Sequence, residues 1–181
     1  MAMSKESKTW LNCIKLLQGP SDEHRVAGLL VAVKVLRASQ ETEWDELGHA
    51  CFEALGAPFI ARLLQLHTKP EFVSLALEFL AAVTLRSRTV ASRRDVILLL
   101  SSLPWSKSDD SGVIEHLVTI VAAISDVRSP GSEFMLELPK KEIHQLLIKA
   151  SKFVLQGQVE SKEPSDLAPP LARIFLVIPV A

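Results

Sequence analysis

The sequence predicts an all-α protein built from pairs of helices, and three observations carry that reading. Strand signals are almost absent: the chain has no Tyr, period-two alternation is rare, and no Asn-Gly or Asp-Gly hairpin turn occurs. Apolar residues recur instead at helical spacing, punctuated by Gly and Pro. A Leu-Leu dipeptide also returns at Leu16-Leu17, Leu63-Leu64, Leu99-Leu100 and Leu146-Leu147, 36 to 47 residues apart. Each lies on a shorter helix that a longer, more apolar one follows.

Taken in order, a first helix covers about Ser4 to Gln18, with Trp10, Cys13, Ile14, Leu16 and Leu17 on its apolar face, and Gly19-Pro20 ends it. Ser21 and Asp22 cap the second, which runs to about Ala38, because their side-chain oxygens can accept the free N–H groups of a first turn. Glu41 to Leu55 forms a third, closed by Gly56, and Ala57-Pro58 opens a fourth that ends near His67. Pro70 sits in the first turn of a fifth, about Glu71 to Arg86, where its missing N–H costs nothing. Helices from about Val90 to Leu103 and from about Ser111 to Ser125 follow, separated by "PWSKSDDSG". "DVRSPGSEFMLELP" reads as a loop, and Pro139 begins a helix reaching about Val154. "GQVESKEPSD" is a polar connector, and "LAPPLARIFLVIPVA" is a last apolar helix without a polar cap.

A helix-pair unit repeated about four times, at ~40–47 residues each, matches the length range of armadillo and HEAT repeats. The predicted architecture is therefore a right-handed α-solenoid of about four helix pairs. Residues 1–157 form the helical-repeat domain, and 158–181 carry the connector and a truncated repeat. In such a stack the second helix of each unit is contacted on nearly all sides and must be apolar on nearly all sides. "SDEHRVAGLLVAVKVL", Ser21 to Leu36, has that character. Its Gly28 costs about 1 kcal/mol of helix propensity against Ala, a loss that close approach of another helix can offset through packing.

Composition removes several classes of function. Of 181 residues, 48% are hydrophobic and 23% charged, so the chain folds, and its net charge of −1 provides no field to hold nucleic acid. Two cysteines, Cys13 and Cys51, are too few for a disulfide framework or a zinc cluster and read as buried thiols in a reducing compartment. The start "MAMSKESKTW" lacks the apolar run of a signal peptide, and no stretch reaches the ~18–20 apolar residues of a membrane span. These features predict a cytoplasmic protein.

"CIKLLQGPSDEHRVAGLLVAVKVL", Cys13 to Leu36, resembles the opening of the neurochondrin family, in which a Cys-x-x-Leu-Leu helix precedes an acidic cap and an Ala-Gly-Leu-Leu helix. "ALGAPFIARLL", Ala54 to Leu64, is similar to that family's next landmark, an Ala-x-Gly followed by Phe and Arg-Leu-Leu. The resemblance covers Leu11 to Leu85, and the helical pattern alone continues to about Leu155. It implies a helical-repeat protein without enzymatic activity, cytosolic, associated in animals with neuronal signalling and neurite outgrowth, and found also in plants. Family members are considerably longer, which implies an amino-terminal portion or a truncated or alternative product. No catalytic or ligand-binding motif defines the family, so no functional residues carry over.

No motif in the chain contradicts that reading. The five histidines, His24, His49, His67, His116 and His144, are scattered, and His49 and Cys51 point about 200° apart on a helix rather than at one metal. Gly-x-Ser-x-Gly, Gly-x-Gly-x-x-Gly and Walker patterns do not occur. Acid pairs such as Asp22-Glu23 and Asp109-Asp110 fall at helix starts, where they complement the macrodipole. The expectation is a protein that is not an enzyme and needs no cofactor or metal.

The candidate partner-binding residues are Arg86, Arg88, Arg93 and Arg94 of "LRSRTVASRRD", together with Trp105 after Pro104. The arginines either form a solvated ridge or offer bidentate contacts to an acidic peptide or to lipid headgroups. Trp105 either covers the core or anchors a partner, and Trp44 is open to both readings. The function this predicts is a non-catalytic protein-protein interaction scaffold in intracellular signalling, holding peptide or helix partners and no nucleic acid. Alternatives are a membrane-peripheral adaptor docking through the basic ridge and a truncated fragment whose uncapped end self-associates.

Overall fold

The computed structural model describes residues 5–38, 44–66, 69–101, 103, 110–127, 140–161 and 174. Among these residues every regular element is a helix: α1 (Lys5–Leu17), α2 (Asp22–Ala38), α3 (Trp44–Leu55), α4 (Ala57–Leu64), α5 (Pro70–Arg86), α6 (Arg88–Ala91), α7 (Arg94–Ser101), α8 (Ser111–Val127) and α9 (Lys140–Ser161). They fall into two compact units, Met1–Val90 and Ala91–Ala181, which divide within α6. Trp105, the greater part of the expected 126–139 loop and, Ile174 apart, the last apolar helix lie outside the described residues.

In the first unit α1 packs on α2 and α3, α2 on α5, and α5 also on α3 and α4. Cys13, Leu17, Leu29, Phe52, Leu64 and Phe79 are among the fully enclosed side chains there. Each such side chain contributes about 1.5–3 kcal/mol by leaving water. The close approach expected at Gly28 is present between α2 and α1. A Cβ at that position would lie 2.6 Å from the Leu17 backbone nitrogen and 2.8 Å from the Leu16 carbonyl carbon. The Cys13 thiol fills the adjoining space, 3.8 Å from the Gly28 carbonyl oxygen.

Cys13 and Cys51, distant in sequence, meet in side-chain hydrogen-bond contact between α1 and α3. Both are free thiols and fully buried. The hydrogen bond with Cys13, followed by burial, pushes the Cys51 thiol up.

Polar residues at the helix ends explain where the elements start. Ser21 Oγ accepts the His24 N–H at 3.3 Å and so caps α2. Asp22, the first residue of α2, reaches across to Arg62 instead of its own helix. Gly56 closes α3 by donating its N–H to Phe52 O (2.9 Å) and opens α4 by accepting from Phe59 N–H (3.1 Å). It does both at φ 81°, a left-handed conformation that suits glycine. Asp110 Oδ1 accepts from Gly112 N–H (2.8 Å) and Val113 N–H (3.2 Å) and caps α8.

Burial differs among the long helices. α5 leaves only Pro70, Glu71 and Leu85 exposed, close to the all-round enclosure expected of a second helix. α2 leaves a stripe of Ala27, Leu30, Lys34 and Arg37 exposed, because α1, α3 and α5 together cover its other sides. In the second unit α8 packs on α9, and Ile114, Val118, Ile120, Val121 and Ile124 of α8 are fully or almost fully buried with Ile143, Leu146 and Leu147 of α9.

Two boundaries depart from the sequence reading. The single helix expected over 90–103 is two, α6 and α7, interrupted at Ser92 and Arg93. Asp95 draws the Arg93 guanidinium against it and accepts the Val96 N–H at 3.0 Å, so its carboxylate marks a new first turn. α9 also continues through Gly157 to Ser161, past the expected end at Val154. One glycine costs a helix only about 1 kcal/mol and does not oblige it to stop.

Candidate protein-binding surface

The sequence-predicted arginines divide between the two units, with Arg86 and Arg88 in the first and Arg93 and Arg94 in the second. Their settings follow from the local backbone. At Ser87 the chain is extended (φ −121°, ψ 110°) between α5 and α6, so successive side chains point to opposite sides.

Ser87 and Thr89 turn toward α3, where Asp45 gathers them. Ser87 Oγ donates to Asp45 Oδ1 at 2.6 Å, Thr89 Oγ1 to Oδ2 at 2.7 Å, and the Thr89 N–H to Oδ1 at 3.0 Å. Ser87 Oγ also accepts the Val90 N–H at 3.2 Å and so starts α6. Hydrogen bonds from Ser87 and Thr89 hold the Asp45 carboxyl below the usual carboxylate range. Gly48, one turn along α3, makes room for this corner, since a Cβ there would lie 2.9 Å from Ser87 Cβ.

With residues 87 and 89 committed to Asp45, Arg88 is presented to solvent and Arg86 is half-buried. Leu85, just before them, is 60% exposed. The first unit therefore carries an apolar side chain and a guanidinium on one braced corner.

In the second unit Arg93 is committed to its own chain. Its Nε lies 2.9 Å from Asp95 Oδ1 and its Nη2 2.8 Å from Oδ2, a two-pronged pair. The Arg93 guanidinium beside it holds the Asp95 carboxyl below the usual range. Arg94 is exposed, and Leu98 of the same helix is 57% exposed.

A second arrangement in the first unit was not singled out by the sequence. Phe59 of α4 is buried beneath two guanidiniums, with Arg25 Cζ of α2 4.9 Å and Arg62 Cζ of α4 5.1 Å from its ring centroid. Arg62 Nη2 pairs with Asp22 Oδ1 at 2.9 Å, joining α4 to the first turn of α2. The only sequence signal was that Phe59 and Arg62 share an i, i+3 face of α4; Arg25 reaches them through tertiary packing alone.

Among the described residues, no three His, Cys, Asp or Glu side chains are placed to hold a metal ion. No described helix is long and apolar enough to cross a membrane. Residues 4–92 match the family model described as Neurochondrin. No curated protein and no solved structure matches the chain.

Proposed function

We propose, on the premise that residues 4–92 are a segment of the neurochondrin family, that the chain is a non-catalytic scaffold for protein partners in cytoplasmic signalling. The observation that carries the reading is the corner at the end of α5, where Leu85 and Arg88 are both exposed on backbone pinned by Asp45. An exposed apolar side chain and a guanidinium three residues apart on a rigid support are the composition from which interface anchors are made. Rigidity lowers the ordering cost of binding.

The finer architecture belongs to the same proposal. Successive helix pairs stack as a right-handed, armadillo- or HEAT-like α-solenoid of about four pairs. Packing of α2 on α5, the second helices of successive pairs, supports that arrangement within the first unit. Extended peptides or partner helices then lie along the exposed helices, with no nucleic acid among the partners.

Capture of protein partners by the full recombinant chain, compared with a Leu85→Ala, Arg88→Glu, Arg94→Glu variant, tests the reading. The expected result is loss of partners from the variant. If every partner recovered by the wild-type chain is still held, the surface proposed is wrong. A second reading, a membrane-peripheral adaptor, is favoured by the exposure of Arg88 and Arg94. It predicts sedimentation with anionic vesicles that is lost at raised salt.

A further inference from the structure

We propose that the Arg25–Phe59–Arg62 stack is a docking point for the carboxylate of an aspartate or glutamate presented by a partner protein. This rests on the protein-binding reading above and names a site that the candidate arginines do not include.

The charge count in the stack is uneven. Two guanidiniums lie over one ring, and one carboxylate, Asp22, serves them. Asp22 contacts only Nη2 of Arg62, leaving that fork open to a second acceptor. The buried Nε of Arg25 has no hydrogen-bond partner. Glu23 does not complete the count, because two residues along a helix it points about 200° away from Arg25. One further carboxylate would bring the cluster to two charges of each sign.

The geometry suits that occupant. A guanidinium held over an aromatic face keeps its plane and in-plane N–H groups directed outward, where planar two-pronged contact with a carboxylate is made. Phe59 is itself fixed in the core, so the ring on which both guanidiniums rest is in place before any ligand arrives. The Asp22–Arg62 pair is solvent-exposed on both sides (62% and 58%), so an incoming carboxylate displaces a weak contact. Asp22 thereby acts as a built-in competitor for the site.

The probe is fluorescein-labelled decaglutamate, titrated into the full chain at low ionic strength and read by anisotropy, with decaglutamine as the uncharged control. Decaglutamate binds and decaglutamine does not. Arg25→Gln and Arg62→Gln each weaken binding about two- to fivefold, the range of an ion pair at a partly exposed site. Asp22→Asn tightens it by removing the competitor. Glu23→Gln, the same change in net charge on the other side of α2, leaves it unchanged, as does Arg88→Gln.

Far-UV circular dichroism checks each variant, and Asp22→Asn keeps the proposal falsifiable should an arginine variant unfold. Equal tightening by Glu23→Gln and Asp22→Asn would mean a diffuse field and overturn the site. Unchanged affinity in both arginine variants would do the same. If Arg25→Gln abolishes decaglutamate binding but captured partners are retained, this site is not the one partners use, and the broader scaffold reading stands.

Discussion

Replacing Gly28 by Ala reverses the usual consequence of that substitution. At a helix position open to solvent, Gly→Ala stabilises by about 1 kcal/mol, since Ala loses less conformational freedom on folding. At Gly28 the new Cβ would lie 2.6 Å from Leu17 N and 2.8 Å from Leu16 C, both backbone atoms of α1, where real Cβ atoms essentially never come within 3.0 Å. No rotamer change relieves this. Restoring an ordinary contact of 3.4 Å requires α1 to retreat by about 0.8 Å (3.4 less 2.6).

A gap of that size forfeits roughly a quarter to a half of the dispersion contact along the seam. The seam includes Cys13 and Leu17 of α1 and Leu29 of α2, all fully buried. Overpacking of this kind costs about 1–3 kcal/mol. With the propensity gain of about 1 kcal/mol subtracted, the net destabilisation is about 0–2 kcal/mol, a fall in melting temperature of up to roughly 8 °C for a chain of this size. Thermal and urea unfolding of the full chain, followed by circular dichroism, measures it. A Gly28→Ala chain more stable than the wild type by the ~1 kcal/mol expected at an open helix position would refute the close approach.

Gly56 is demanded for a different reason. Its nearest obstacle to a Cβ is Pro58 Cδ at an ordinary 3.7 Å, whereas its φ of 81° is the constraint. Gly56→Asn is therefore expected to melt higher than Gly56→Ala, because Asn tolerates the left-handed region, while at Gly28 Asn should be no better than Ala; equal melting of the two Gly56 variants would count against it. Asp45→Ala is expected to cost about 1 kcal/mol at neutral pH, taking the Ser87 and Thr89 hydrogen bonds together and discounting for solvent exposure. Because the folded Asp45 carboxyl titrates below its unfolded value, its contribution is present in full above the ordinary carboxylate range, about pH 4. It is lost as pH falls through the folded value. The wild-type and Asp45→Ala melting curves should thus converge in acid, and a gap independent of pH would show that the carboxylate charge contributes nothing.

The helical class and most element boundaries were legible in the residues themselves, because caps and breakers act through local chemistry. Ser21 bonds an N–H three residues away, Gly56 satisfies its own backbone torsion, and Pro70 occupies a first turn where no donor is missed. The glycine in the middle of α2 also announced a close neighbour, since only packing compensates its propensity loss.

Sequence could not say which helix that neighbour would be. Partner choice is a property of tertiary packing, and so is everything built on it. Cys13 meets Cys51 because α1 lies on α3. Asp22, placed by the sequence as a cap, is spent on Arg62, forty positions away. Arg93, counted with the basic ridge, is held by Asp95. The pairing of Arg25 with Arg62 over Phe59 has no periodic trace at all, because the two arginines lie on separate helices. Short-range hydrogen bonding and backbone torsion are written in neighbouring letters; charge pairing between helices depends on which faces the buried core brings together.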